Sequence, residues 1–298
     1  MKLSIIVIFF NMEREAVRTL HSLSHHYQRG VDDLDYEVIA VDNGSDLPLD
    51  AEMVAMHGPY FRSYRIEKAH ASPARAINFG VAQARGEFVA IMIDGAHILT
   101  PGVLKYFTLA TRCYSHPIVA VRGWFVGRGQ QGVTLDSSYD QTVEDRLFAK
   151  INWPENGYRL FEVGELIGMR RRNWFSAIKE SNCLFVRRAI FDSIGGANEA
   201  FDLPGGGFLN LDLLKECTKA PDANLVSIIG EGSFHQFHGG TTTNGDISQR
   251  KDMLATYRAQ YEEIRGEPFS LPSLPVEYVG RMNQFARLHL PPYLPPEK

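Results

Sequence analysis

Two aspartates, Asp42 and Asp94, each close an apolar run, where a carboxylate can accept hydrogen bonds or hold a divalent cation through oxygen. Asn11 closes a third such run, Leu3 to Phe10. His97 follows Asp94 by three residues, and His235 and His238 stand three apart in Gly232-Ser233-Phe234-His235-Gln236-Phe237-His238-Gly239-Gly240. Imidazole can ligate a metal or carry a proton near neutrality, and each of these rings could equally be a satisfied hydrogen-bonded side chain. A spacing of three suits one helix face or a bend from strand to loop, and the glycines after His238 leave room for an ion or a phosphate. Asp42 lies in Asp42-Asn43-Gly44-Ser45, where a carboxylate can also cap turn amides.

These residues converge only if the runs before them are strands of one sheet. Leu3 to Phe10, Tyr36 to Val41, Phe61 to Ile66, Glu87 to Ile93 and Ile118 to Phe125 are apolar, mostly β-branched or aromatic, and read as strands buried on both faces. Between them lie helical spacings. Asn11 is placed to cap a helix carrying Ala16, Val17, Leu20, Leu23 and Tyr27. Ser72-Pro73 opens a helix that stops at Gly86, and Pro101 opens another. This alternation predicts an α/β fold with a mostly parallel sheet and right-handed crossovers. Ligands of such sheets bind outside the carboxyl ends of the strands, which is where Asn11, Asp42 and Asp94 fall.

Residues 126–175 show few clear periods and read as an excursion over the active face. Short helices are predicted over Arg187 to Ile194 and Leu209 to Lys219, a strand over Leu225 to Ile229, and a polar helix over Gln249 to Ile264. From Pro268 the chain is rich in proline and predicts an extended tail with one helical segment near Tyr278 to Leu288. The predicted organisation is a domain over 1–240, with halves 1–125 and 126–240, and a C-terminal helix and tail over 241–298. The tail leaves pairing of two chains open.

Composition narrows the partners. With 44% hydrophobic and 22% charged residues the chain is of ordinary globular type, and a formal charge of -4 argues against nucleic acid. Arg170-Arg171-Arg172 could meet phosphate or a membrane surface, so peripheral membrane association stays open, although a solvated loop explains the run as well. Three separated cysteines fit neither a disulfide framework nor a metal knuckle. The apolar N-terminus lacks the flanks of a signal peptide, and no run is long enough to span a bilayer. The sequence therefore predicts a soluble, cytoplasmic protein.

The run Ser4 to Asn11, the segment Glu37-Val38-Ile39-Ala40-Val41-Asp42-Asn43-Gly44-Ser45, and Ala76-Ile77-Asn78-Phe79-Gly80 before Ala84-Arg85-Gly86-Glu87-Phe88 together resemble the opening of glycosyltransferase family 2. Asp94 stands seven residues before a proline as in that family, and Ile194-Gly195-Gly196 with Glu199 and Phe201 resembles its acceptor-side segment. The resemblance covers roughly 1–240; each motif alone is weak, and their order and spacing are specific.

What the resemblance implies is a GT-A fold and inverting, single-displacement transfer from a nucleoside diphosphate sugar to a hydroxyl on a glycan or lipid-linked sugar. Phe9, Asn11, Asp42, Asn43, Arg75, Asp94 and Gly95 would bind the nucleotide. Asp94 would hold Mn2+ or Mg2+ against the phosphates. The family's second aspartate is here Ala96, so His97, His235 and His238 are the candidates to complete the metal site, and imidazole tilts the preference towards manganese. Where the family shows its base, this chain has Leu209-Asn210-Leu211-Asp212. An amide cannot take the proton, so Asp212 is the candidate base, with Glu180 and Glu199 in reserve. Trp153, Tyr158 and Trp174 could stack on an acceptor sugar, with core packing the default reading for each. Ala96 and Asn210 keep open a non-catalytic binding descendant. A sugar nucleotidyltransferase is disfavoured, since no glycine-rich basic loop follows the first strand.

Overall fold

The computed structural model of the chain describes residues 1–68, 70–127, 139–167, 173–238 and 247–290. Arg170 to Arg172, Gly239 and Gly240, and the last prolines lie outside these residues.

Four parallel strands form one half of a sheet: β1 (Leu3–Phe9), β2 (Tyr36–Asp42), β3 (Phe61–Arg65) and β4 (Phe88–Met92). The other half contains β6 (His116–Val126), β8 (Leu184–Arg187), β9 (Ala223–His235) and β10 (Val276–Gly280), giving the order β10-β9-β6-β8-β4-β1-β2-β3. On this path β8 alone runs against its neighbours β4 and β6. Two short strands pair outside the path: β5 (His97–Leu99) antiparallel to β9, and β7 (Gly164–Leu166) antiparallel to β6.

Because every residue of β1, β2 and β4 is buried, these strands can only be central. Alternate side chains feed two cores. Ile5, Val7 and Phe9 pack with α1 (Glu13–Leu23), α2 (Ala51–Ala55) and α4 (Val103–Cys113). Ile6 and Ile8 pack with α3 (Ala74–Ala82), α7 (Arg188–Ser193) and α8 (Leu209–Cys217). At Gly80 an added Cβ would stand 2.5 Å from Ile6 Cγ2, so glycine is what lets α3 lie this close to the sheet. A third cluster, under α5 (Gln141–Ile151) and α6 (Leu160–Val163), contains Trp124, Trp153, Phe161 and Trp174. Trp153 and Trp174 are buried there, and Tyr158 donates to Glu231 at 2.9 Å. Trp153 and Trp174 are core, and Tyr158 packs against them partly buried.

Two further expectations change, and the polar helix expected over Gln249 to Ile264 is present. The predicted helix near Tyr278 to Leu288 is strand β10 followed by a 3-10 turn at Ala286–His289, because Val276 to Gly280 pairs in register with Leu225 to Ile229. The segment after 241 also supplies α9 (Ile247–Arg265), whose Tyr261 is buried in the second core. Asn11 does not cap α1. It takes a left-handed φ of 51° and exchanges hydrogen bonds with Asp46, at 3.1 Å from its Nδ2 and 2.9 Å to its Oδ1.

The buried Glu231 gives the fold a pH signature. Its carboxylate accepts from Thr100 Oγ1 at 2.5 Å, from the Gly102 amide at 2.9 Å and from Tyr158. Burial pushes the group up from 4.5 to about 7, against these hydrogen bonds, which pull it down. The folded chain thus holds this proton more tightly than the unfolded chain, so stability falls as pH rises from about 4.5 to about 7 and levels off above. The contribution is about 3 kcal/mol. Glu231→Gln is expected to remove it, read from urea unfolding at pH 5 and pH 8; an unchanged difference between the two pH values would refute this account.

Candidate functional site

The parallel register brings the strand tips level: Phe9 pairs with Asp42, and Val7 with Met92, so Asp94 emerges beside the end of β1. Its backbone is fixed by Asn182, whose Oδ1 accepts from the Asp94 amide at 2.9 Å and whose Nδ2 donates to its carbonyl at 3.0 Å. The carboxylate Oδ1 accepts from the Ala96 amide at 2.8 Å, leaving Oδ2 directed at the histidines.

Gly95 lies where a Cβ would stand 2.4 Å from the Phe9 ring and 2.6 Å from the Ile8 carbonyl, so this loop can approach β1 only as glycine. The fully buried Ala96 donates to the carboxylate through its backbone.

The histidines arrive by strand pairing. In the antiparallel contact of β5 with β9, His97 is the partner of His235, and their rings meet edge to face with centroids 4.9 Å apart. His235 Nε2 stands 3.2 Å from Asp94 Oδ2, His238 Nε2 stands 3.3 Å from the same oxygen, and the two nitrogens are 3.1 Å apart. One ligand atom each of Asp94, His97 and His235 also lies within 4.8 Å of the others. The tighter set is Asp94, His235 and His238. Ligand atoms about 2.0–2.2 Å from one ion are separated from each other by about 3.0–3.4 Å, so this triangle has the edge lengths of one face of a coordination shell. His97 is farther back, its Nδ1 held by Ser233 Oγ at 2.9 Å.

Burial pushes the Asp94 carboxyl up, and His238 and His235 outweigh it, holding the group well below the usual carboxylate range. Burial pulls His238 down, and Asp94 more than restores it, leaving it raised. His97 is lowered to about 3 by burial and by His235, so it is neutral.

Beside this cluster a cavity of about 350 Å³ opens at the tips of β1 and β2, lined by Phe9, Asn11, Arg14, Ser45, Asp46 and Leu49. Asp94, His97, His235 and His238 do not line it; the link is Phe9, which lines the cavity and whose ring stands against Gly95. The volume falls within the range of small-molecule sites, about 300–1,000 Å³.

The remaining expected residues divide. Asp42 is buried and accepts from the amides of Ser45 (2.8 Å) and Leu49 (3.1 Å) and from Arg65 Nη1 (3.1 Å). Arg65, which the sequence did not single out, is thus the cation beside Asp42. Arg75 instead pairs with Glu199 at 3.1 Å and His70 at 2.9 Å. Asn43 donates from its amide to Phe9 at 2.8 Å and from Nδ2 to His70 at 3.1 Å. Glu199 is further held by Asn78 at 3.1 Å. Asp212 is buried in a two-pronged pair with Arg265, 2.7 Å from Nε and 2.6 Å from Nη2. Both its oxygens are taken, which argues against its role as the base. Glu180 lies two residues before Asn182, 3.5 Å from Lys179. Asn182 itself was not anticipated, although an asparagine entering a strand is a usable cue.

Residues 4–195 match the family described as glycosyl transferase family 2. A curated relative, the uncharacterized protein y4gI of Sinorhizobium fredii (strain NBRC 101917 / NGR234), is 28% identical over 176 residues, 55% of this chain and 17% of that protein. The chain superposes on S. aureus TarS 1-349 in complex with UDP-GlcNAc with a TM-score of 0.54 and 16% identity, covering 88% of this chain and 67% of that one. On the glucosyl-3-phosphoglycerate synthase of Mycobacterium tuberculosis, in complex with Mn2+, UDP and glucosyl-3-phosphoglycerate, the TM-score is 0.51 at 16% identity, covering 90% and 81%. The chain spans 17% of the curated relative it matches and 44% of a longer TarS chain. At these identities the structural likeness is one of fold, the GT-A arrangement of a largely parallel sheet between helices. The family match covers more than half of the chain: it is a member of glycosyl transferase family 2.

Proposed function

We propose that this glycosyltransferase moves a hexose from a nucleoside diphosphate sugar to a hydroxyl of a glycan or lipid-linked sugar, with inversion, in polysaccharide or surface-glycan synthesis. The observation that carries the reading is the triangle of Asp94 Oδ2, His235 Nε2 and His238 Nε2 beside the strand-tip cavity. It is supported by the family match and by two fold relatives solved with UDP or a UDP-sugar, one of them also with Mn2+.

Asp94, His235 and His238 would hold a divalent cation, Mn2+ in preference to Mg2+ because two of the three donors are nitrogen. When bound, such an ion neutralises the charge that develops on a departing diphosphate. Phe9, Asn11, Asn43 and Arg75 border the nucleotide in this reading. Asp42 holds the loop that carries Ser45 and Leu49, and Gly95 and Phe9 keep the metal-bearing loop against β1. Inversion needs a carboxylate that takes the acceptor hydroxyl's proton as that oxygen attacks the anomeric carbon. Of Glu180, Glu199 and Asp212 we favour Glu180, since Glu199 and Asp212 are engaged by arginines.

The test is a thermal-shift series of nucleoside diphosphates and triphosphates, each with and without Mn2+. A diphosphate is expected to raise the midpoint by several degrees with Mn2+ and by less without it, as ligand binding to the folded state requires. No shift with any diphosphate would overturn the proposal. Binding without donor hydrolysis or transfer to any sugar acceptor would instead favour a non-catalytic binding protein.

A further inference from the structure

Both loops that carry the candidate ligands are tied to α1, and one hydroxyl touches both. Thr19, fully buried on α1, donates from Oγ1 to the Gly95 carbonyl at 2.6 Å and accepts from Gln236 Nε2 at 3.2 Å. Gly95 follows Asp94, and Gln236 lies between His235 and His238. Gln236 is itself fully buried; its backbone amide donates to the Ala96 carbonyl at 2.7 Å and its Nε2 also to the Glu15 carbonyl at 3.2 Å. A second fastening reaches from α5. The buried Glu144 accepts from the Phe237 amide through Oε2 at 2.7 Å, and its Oε1 lies 3.2 Å from Arg14 Nη2. Arg14 Nη1 in turn donates to the Phe237 carbonyl at 3.4 Å.

None of these groups points a donor atom at the Asp94 triangle, and together they hold a neighbour of each of its members: Gly95 and Ala96 after Asp94, and Gln236 and Phe237 between His235 and His238. Ligands whose loops are already immobile lose little further freedom on meeting an ion. Partners bonded directly to metal ligands alter affinity by about 10–100-fold when removed, which sets the scale for groups that hold the ligands' loops.

We propose that Thr19, Gln236 and Glu144 are positioning residues that preassemble the divalent-cation site, so that the ion is bound before and without the nucleotide. The proposal rests on the reading of Asp94, His235 and His238 as metal ligands and adds an order of binding and the residues that impose it.

The full chain is stripped of metal and titrated with Mn2+ in the absence of nucleotide, with free ion read from its electron paramagnetic resonance signal. The parent is expected to take up one Mn2+ per chain. Thr19→Val, which keeps the shape and removes the hydroxyl, is expected to weaken that affinity at least tenfold, and Thr19→Ser to restore it to within about threefold. Uptake of no Mn2+ by the parent without nucleotide overturns the proposal, as does Thr19→Val binding like the parent or Thr19→Ser as weak as Thr19→Val.

Should Thr19→Val fail to fold, Glu144 decides. Glu144→Gln retains an oxygen for the Phe237 amide and is expected to bind Mn2+ within about threefold of the parent, whereas Glu144→Leu should weaken it at least tenfold. Equal affinities of these two variants overturn the proposal. Binding of uridine diphosphate, measured separately with the ion chelated and then restored, distinguishes the two readings: loss of all diphosphate binding removes the proposed function and leaves the Mn2+ result standing.

Discussion

Asp94→Ala is expected to lower the release of nucleoside diphosphate from the sugar donor about a thousandfold or more, with the protein still folded. The substitution removes the one carboxylate of the triangle and leaves His235 and His238 facing each other at 3.1 Å with no anion between them. Loss of a group that neutralises developing charge typically costs about 10²–10³ in turnover, and here an ion held by that group would go with it. The fold should survive, because the clamp from Asn182 grips the backbone of residue 94, which alanine keeps. The measurement is diphosphate release by chromatography at saturating donor and Mn2+, beside Asp33→Ala as an exposed control. Activity within tenfold of the parent would remove Asp94 from the site.

How far the sequence carries such an argument depends on the range of the interactions involved. Strands β1, β2 and β4 are legible because a strand buried on both faces is mostly apolar, and their carboxyl ends follow directly. That Asp42 and Asp94 stand at carboxyl ends of strands in one sheet therefore needed no structure, whereas the placement of β1 between those strands did. β8 was missed: four residues before a helix leave no period to detect, and its reversed direction is set by partners on β4 and β6. β10 reads as helix in the sequence because its strand character comes from pairing with the edge of β9, a tertiary contact that outweighs local preference.

The site divides along the same line. Residue types nominated Asp94, His97, His235 and His238, but which imidazole faces Asp94 is fixed by the register of β5 on β9 and by the bend after His235, across more than a hundred residues. The pairing of Asp42 with Arg65 is similar in kind, since only the parallel register of β2 with β3 sets the two side by side. Thr19 and Gln236 carried no signal at all, since a threonine on an amphipathic helix is unremarkable until its hydroxyl is seen between two loops.

Asp212 shows how a plausible catalytic carboxylate can be a structural one, and the expected result of cutting its partner is large. Arg265→Ala should destabilise the chain by about 3–5 kcal/mol, because it leaves a buried carboxylate without its cation. Burial already pushes Asp212 up, against the pull of Arg265, so the pair is balanced and not spare. Replacing both partners by leucine should recover much of the loss, since neither charge is then stranded. Urea unfolding of the single and double variants measures this directly; a loss below about 1 kcal/mol for Arg265→Ala, the size of an ordinary exposed ion pair, would contradict the buried-pair account. The same carboxylate then tests the chemistry. Removal of a general base costs about 10²–10⁴ in rate, whereas Asp212→Asn, on the structural account, should leave turnover of the folded fraction within about tenfold of the parent. A hundredfold loss in folded Asp212→Asn would return the proton transfer to Asp212 and require Arg265 to release it when donor and acceptor are bound.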